Sequence, residues 1–544
     1  MAGFSATLRE QFTAMQQAMA PVRLSKTDLF WLSLRKARHD IALLLSDPSP
    51  KATYTVFAGV ALLIALLVDQ IRARQSSLQR LGMPLVKAPK GSKKFDYKAI
   101  LDAGAVSYPG QPFIVSYSGF ELVVFPNSTW DEIKRLPVTK ASTLEYFTHA
   151  FFQGWRFLGS DTSAVHKTIG IDVTRSLPTR VGAQQDSAAR ACEKALGTSK
   201  DWKSSRMYWT MQDIISTTNA AGLVGEQLGT NPRWNRAVQS FVLAIVFAIA
   251  TVSLPPRFLR PFVTLFVFLP AWGIYWYMRW LLLPMVNEDM SQYDPSSEGK
   301  KEVLATPDQK FPITAWLLNR YAANERTLQN VGHDYVVASF ESTSATSATF
   351  YFIIAEIIQR PEVVEELREE LSRVMVDGRL PQTQLSELEK MDSFIRECSR
   401  WNPFGHMALF RRLMAPVKLS SGPELPAGTL IAVDVHNVPR SQELWEDSEE
   451  FDPWRFLKLR KLPGRQNRHQ FTSLGQDSPG WGDGPQACPG RAFAAATLKV
   501  TLAHILLNYD LRLPPGGRKP GRHSMPNGSM RPDMFVKIQY RKRP

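Results

Sequence analysis

One thiol stands in the stretch of this chain best suited to chemistry: Trp481-Gly482-Asp483-Gly484-Pro485-Gln486-Ala487-Cys488-Pro489-Gly490-Arg491. Glycines and a proline crowd in front of Cys488, and a small-residue helix is expected from Ala492 to Leu506. A thiol at a helix N-terminus faces backbone N–H groups, which favour its thiolate. Gly482, Gly484 and Gly490 let the backbone approach something large and flat. No Cys or His nearby supplies a second ligand, which argues against zinc. A lone thiolate in a glycine-rich loop suits axial ligation of a heme iron. The plain alternative is a buried loop with an inert cysteine.

Elements that would position such a ligand lie upstream. Glu397-Cys398-Ser399-Arg400 sets an acid and an arginine three apart, on one helix face where they can pair. Phe451-Asp452-Pro453-Trp454-Arg455-Phe456 brings a second arginine. The planar guanidinium fork makes several directed bonds at once. Further upstream, Ala338-Ser339-Phe340-Glu341-Ser342-Thr343 interrupts a long helical pattern with small hydroxyl residues. Hydroxyls inside a helix can bond back to a carbonyl and open it locally. An acid next to an alcohol can also relay protons.

Together these segments resemble the cytochrome P450 family. The cysteine stretch is similar to its heme-binding loop, Phe-Gly-x-Gly-x-Arg/His-x-Cys-x-Gly. Trp481 replaces the usual Phe, and Gln486 the usual Arg or His that meets a heme propionate. Gln can hydrogen-bond a carboxylate but adds no charge. Glu397 and Arg400 match the family's Glu-x-x-Arg, and Arg455 its Pro-x-Arg-Phe element. The resemblance implies a three-member ion network that holds the cysteine loop. The segment around Glu341 resembles the oxygen-activation helix, Ala/Gly-Gly-x-Asp/Glu-Thr-Thr/Ser. Glu341 takes the acid position and Ser342 the alcohol position, with Thr343 following; Ser339 stands for Gly. The resemblance implies heme b, with Cys488 as axial thiolate and Trp481, Gln486, Gly482 and Gly490 around the cofactor. It also implies that Arg411 or Arg412 reaches a propionate. The family's arginine in the helix after the pocket loop is not evident around His166 to Arg175.

Composition narrows the class. The net charge is +15, but the Lys and Arg residues are scattered and no nucleic-acid motif appears. Three cysteines, Cys192, Cys398 and Cys488, show no disulfide-framework spacing and suit a reducing compartment. The Asn127-Ser128-Thr129 sequon is expected to be unused on a cytosol-facing fold. Basic clusters at Arg72 to Lys94 and Lys458 to Arg468 suit anionic headgroups and an acidic electron donor respectively. Ordinary solvated surface explains them equally well.

Ala52 to Val68 is uncharged and mostly apolar, at the short end for a spanning helix. The arginines after it place its C-terminal side in the cytosol. Residues 1–50 carry apolar residues at helical spacing and suggest amphipathic helices, lying on a membrane or packing on the catalytic unit. The expected organisation is residues 1–50 as an extension, 51–75 as a transmembrane anchor and 76–544 as the heme-thiolate domain. Phe241 to Leu254 and Phe262 to Val286 are two further apolar stretches. By resemblance they roof the substrate pocket and dip into the bilayer; a helical hairpin through it is the alternative.

Gly104 to Val124 reads as a β-hairpin, Thr143 to Val376 as mainly helix, and Asp377-Gly378 as the turn that ends it. Gln292 to Gln309 reads as a polar linker, and Met407 to Ile431 as short strands. Tyr146, Phe147, Phe151 and Phe152 fall where a pocket-lining loop is expected, or are simply core. The fold class is therefore mainly α with small β-sheets, the cytochrome P450 fold behind an N-terminal anchor. The implied activity is a heme-thiolate monooxygenase acting on a lipophilic, terpenoid-like secondary metabolite of fungal type. NADPH-cytochrome P450 reductase would supply electrons, with cytochrome b5 a candidate second donor, at the endoplasmic reticulum membrane. Two rival readings are a rearrangement or peroxide-using enzyme that needs no reductase, and a non-enzymatic membrane scaffold.

Overall fold

Helical spacing of apolar residues governs most of the chain, and the computed structural model follows it. It describes residues 54, 57–64, 78–93, 95–153, 163–252, 254–256, 259–293, 312–381, 384–525 and 528–544. The chain divides into two units, Met1–Ser76 and Ser77–Pro544. In the first, residues 57–64 are helical with exposed side chains. The expected helices of residues 1–50 and most of the 51–75 anchor lie outside the described residues, as does the 294–311 part of the polar linker.

The second unit carries fifteen named α-helices among the described residues. They are α1 (Tyr97–Ser107), α2 (Trp130–Lys134), α3 (Thr143–Phe152), α4 (Ser163–Lys167) and, after a π-helical turn at Thr168–Val173, α5 (Thr174–Leu196). Next come α6 (Met207–Gly229), α7 (Pro232–Val252), α8 (Arg260–Val267), α9 (Leu269–Ser291), α10 (Pro312–Arg320) and α11 (Leu328–Gln359). The last four are α12 (Pro361–Val374), α13 (Glu389–Trp401), α14 (Arg455–Arg460) and α15 (Arg491–Asn508). Helices α5, α6, α11 and α15 pack together as the central bundle. Its buried face runs through Ile214, Ile215, Phe350, Ile354, Leu498 and Leu502. Helix α11 is long because Thr327 caps it, accepting from the Asn330 N–H, and no glycine or proline interrupts residues 333–359.

Beside the bundle lies a six-stranded sheet in the order β1 (Leu85–Val86), β2 (Phe113–Tyr117), β3 (Phe120–Phe125), β7 (Leu430–Asp434), β6 (Met407–Leu413), β4 (Ala141–Ser142), while β5 (Lys203–Arg206) belongs to a separate sheet. Strands β2 and β3 form the hairpin expected from the sequence, but it begins later than Gly104. Tyr97, Ile100, Leu101 and Gly104 are buried at helical spacing, and Asp96 caps them, so this stretch is α1 instead. The hairpin turns at Ser118-Gly119, both at positive φ, which suits the twist of the two strands. Strand β6 carries a bulge between Ala408 and Arg411, with Leu409 at φ 49.

Above the bundle, α9 buries Ala271, Met278, Leu282 and Val286 and leaves Trp272, Trp276, Tyr277, Trp280 and Leu283 exposed. Among the described residues, α7 is long and apolar enough to cross a membrane, and α8 with α9 forms a pair bent by 44° that passes the same test. Yet α7 packs on α6, α9 and α11 and buries Trp234, Phe241 and Ile245 there.

Candidate active site

Cys488 sits between a 3₁₀ turn (Gly484–Gln486) and the first residue of α15. Its N–H donates to the Trp481 carbonyl at 2.8 Å, closing the loop. Gly482 holds φ 69 and ψ −160, a region open essentially to glycine alone. Gly484 holds φ 67, and a Cβ there would lie 2.4 Å from the Lys134 carbonyl oxygen. Gly490 is less constrained by the protein: φ is −86, and a Cβ would touch Ile169 at 3.6 Å.

Two side chains fasten this loop to the chain about 350 residues earlier. Asp483 accepts the Trp130 indole N–H at 2.8 Å and pairs with the Lys134 ammonium at 3.2 Å. Gln486 accepts the Thr143 N–H at 2.8 Å and donates to the Ala141 carbonyl at 2.9 Å. Its amide is therefore engaged at both ends by the β4–α3 junction, whereas the sequence pointed to a propionate. Trp481 is also tied to the protein. Its indole N–H donates to the Phe471 carbonyl at 2.7 Å, and its ring meets Phe471 edge-on at 5.2 Å.

Of the three cysteines, Cys192 and Cys398 are fully packed in the core, and Cys488 is partly accessible. Burial pushes the Cys488 thiol up to about 11, against the pull of the Gly490 and Arg491 N–H groups. The helix terminus thus acts in the expected direction, but burial outweighs it. A coordinating cation deprotonates such a thiol outright, so the thiolate arrives with the metal.

Glu397, Arg400 and Arg455 come together in the core. Arg400 makes a fork to both Glu397 oxygens at 2.7 Å, and Arg455 approaches the same carboxylate at 3.4 Å. The remaining guanidinium N–H groups meet carbonyls, those of Ser448 and Glu450 for Arg400 and of Asp447 and Glu450 for Arg455. Buried charges persist only when paired and hydrogen-bonded in this way. From the same helix, Asp392 accepts the Phe471 N–H at 2.9 Å and so supports the segment that holds Trp481.

Across from the thiol runs α11. Ser342 and Thr343 both donate to the Ser339 carbonyl, at 3.2 and 2.8 Å, and Ser339 donates to the Tyr335 carbonyl. The hydroxyls bond back as expected, but the helix is α-helical throughout, without the expected local opening. The Ser342 carbonyl accepts from Asn219 at 2.8 Å, and Asn219 accepts from Thr497 on α15 at 2.8 Å. This chain ties the middle of α11 to the helix that follows the cysteine. Glu341 is half exposed, and both of its oxygens lie 3.3–3.4 Å from His166 Nε2. Its charge also pushes the Cys488 thiol up.

Arg411 supplies a test of whether a dianionic cofactor fits here. It is 2 % exposed, and its Nε and Nη2 have no partner among the described residues. Its one hydrogen bond runs to the neighbouring Phe410 carbonyl. Burial pulls its pKa down to about 10. An unpaired buried guanidinium calls for a carboxylate. A heme propionate answers that demand, so the donor set fits heme.

Sequence reasoning missed Asp483, Trp130, Lys134, Asn219, Thr497 and His166. Their partners are distant in sequence, and nothing local marks them; only the Gly484 close approach had a signal, its place in a glycine-rich run.

The family model for cytochrome P450 matches residues 285–538. Over 540 residues the chain is 40 % identical to cytochrome P450 monooxygenase ffsD of Aspergillus flavipes, covering 98 % of this chain and 99 % of that one. The chain belongs to the cytochrome P450 family. This P450 is also 38 % identical over 526 residues to pyrichalasin C-18 hydroxylase of Pyricularia grisea, covering 96 % of each. The solved structure of a cyanobacterial CYP120A1 with retinoic acid bound shares the fold, with a TM-score of 0.59 at 14 % identity, covering 85 % of this chain and all of that one. The P450 is accordingly a monooxygenase of the fungal secondary-metabolism kind, and its cofactor is heme on a cysteine thiolate.

Proposed function

We propose that this P450 oxidises a lipophilic secondary metabolite, with Cys488 as the heme ligand and Glu341, Ser342 and Thr343 serving proton delivery. When bound, heme supplies dioxygen activation and one-electron chemistry. The protein's part is to hold the ligand, seat the propionates, exclude water and move protons. Cys488 holds the cofactor, and the Glu397–Arg400–Arg455 network with the Asp483 and Gln486 contacts keeps its loop in place. Arg411 receives a propionate. What supports the reading is one segment that touches both sides: His166 lies 3.3 Å from the Glu341 carboxylate, and a Cβ on Gly170 would lie 3.2 Å from Pro489, the residue after Cys488.

Aromatic pairs on α3, β6, α7 and α11 support a lipophilic substrate. Tyr146 and Phe410 meet at 4.9 Å, Phe147 and Phe151 at 5.2 Å, and Phe241 and Phe340, next to Glu341, at 5.7 Å. Aromatic walls with few polar groups suit a large apolar ligand. Terpenoid skeletons and the pyrichalasin type named for the relative are two chemistries to screen. The exposed Trp and Leu residues of α9, and the burial of one side of α7, favour a roof that dips into a bilayer. Single-pass anchoring at the endoplasmic reticulum by residues 51–75, with residues 1–50 as an extension, completes the proposed organisation. The electron donor is a reductase using NADPH, docking near the basic Lys458 to Arg468 segment.

The test is reconstitution with NADPH and a P450 reductase against a panel of lipophilic metabolites. Product that depends on both supports the reading. Product formed with peroxide alone, or rearrangement without reductant, overturns its electron source.

A further inference from the structure

A helix before the central bundle runs past both sides of the site. Its continuation touches the cysteine loop, since a Cβ on Gly170 would lie 3.2 Å from Pro489. One turn earlier, His166 reaches the Glu341 carboxylate at 3.3 Å. Around Gly170, residues Thr168–Val173 form a π-helical turn, a distortion found mostly at functional positions. The segment is fixed from outside as well, because the Arg320 Nε of α10 donates to Asp172 at 3.1 Å.

We propose that His166 is a positioning and proton-supply residue for Glu341. The inference rests on Glu341 serving proton delivery. His166 is about one third exposed and Glu341 about one half, so both side chains are accessible at the site. Among the described residues, the charged groups facing the imidazole are Glu341 and Asp334 of α11. Asp172 of its own segment is taken by Arg320. Burial pulls the imidazole down, but the Glu341 carboxylate, with help from Asp334, outweighs it and leaves the pKa above the ordinary 6.5. At 3.3 Å an imidazolium can share its Nε2 proton with the carboxylate. The imidazolium passes its Nε2 proton to the Glu341 carboxylate, Glu341 releases a proton into the site, and His166 takes a proton from bulk water. The pair returns to its starting state with one proton moved inward and no net electron change.

Two measurements test this. The first is a proton–carbon NMR pH titration of the His166 imidazole in the ferrous, carbon-monoxide-bound holoenzyme. The expected result is a pKa above 6.5 that falls in Glu341→Gln. A pKa at or below 6.5, unmoved by Glu341→Gln, overturns the pairing. The second needs no substrate: peroxide formed per NADPH consumed, with reductase present. Two electrons reduce dioxygen to peroxide, whereas four with four protons give water. His166→Ala is expected to raise peroxide yield at least twofold with unchanged Soret band and melting temperature, and His166→Lys to restore part of the loss. If Glu341→Gln raises the yield and His166→Ala does not, the His166 proposal fails and the Glu341 reading stands. If neither variant moves it, the Glu341 reading fails as well.

Discussion

Replacing Arg411 by Met should shift the heme-free and heme-loaded proteins in opposite directions. The guanidinium is 2 % exposed and lacks partners at Nε and Nη2 among the described residues. Burial lowers its pKa from 12.5 to about 10. At about 1.4 kcal/mol per unit, this corresponds to roughly 3 kcal/mol acting against the charged form in the heme-free fold. Met fills a similar volume without the charge, at a packing cost under about 1.5 kcal/mol. The heme-free variant should therefore melt above heme-free wild type. The heme-loaded variant loses charge-assisted hydrogen bonds worth about 1.5–3 kcal/mol and should melt lower. Heme affinity should fall by about 3 kcal/mol, roughly a hundredfold. The assays are tryptophan-fluorescence melting of both forms and the rate of hemin transfer to an acceptor protein. A heme-free variant that melts below wild type, together with unchanged hemin transfer, refutes the reasoning.

Other substitutions probe the supports of the cysteine loop. Gly484→Ala sets a Cβ 2.4 Å from a backbone carbonyl at φ 67, and should cost about 2–5 kcal/mol by denaturant unfolding, with loss of bound heme. Gly480→Ala, with nothing within 4 Å, should stay within about 0.5 kcal/mol. Glu397→Gln leaves Arg400 and Arg455 buried without their carboxylate. It should cost about 3–5 kcal/mol and sharply reduce heme-loaded protein on expression, while Lys98→Ala, which breaks an exposed pair, should cost under about 1 kcal/mol. Asn219→Leu removes its hydrogen bonds with the Ser342 carbonyl and the Thr497 hydroxyl, and should lower stability by about 1–3 kcal/mol.

The sequence made the chemistry legible wherever residue type and short spacing carry it. Cys488 with its glycines, and the Glu397–Arg400 pair, are local patterns, and the geometry places them together. The helix through Glu341 was visible as a long helical pattern interrupted by small hydroxyl residues. The α1 boundary was not, because Gly104 and its small neighbours hide a helical face that shows only when Phe113 packs on it. Gln486 looked like a weakened propionate ligand, since the amide's alternative partners, Ala141 and Thr143, are over 340 residues away. Asp483 and His166 were silent for the same reason. A side chain that bridges distant elements leaves no periodicity, and its role appears only when the topology brings its partner alongside.

The most direct test of the central claim is the reduced, carbon-monoxide difference spectrum of the purified protein beside that of Cys488→Ala. The account requires a thiolate-type Soret band in wild type and its loss in the variant. A thiolate-type band that survives the substitution, or well-folded wild type that takes up no heme, contradicts it.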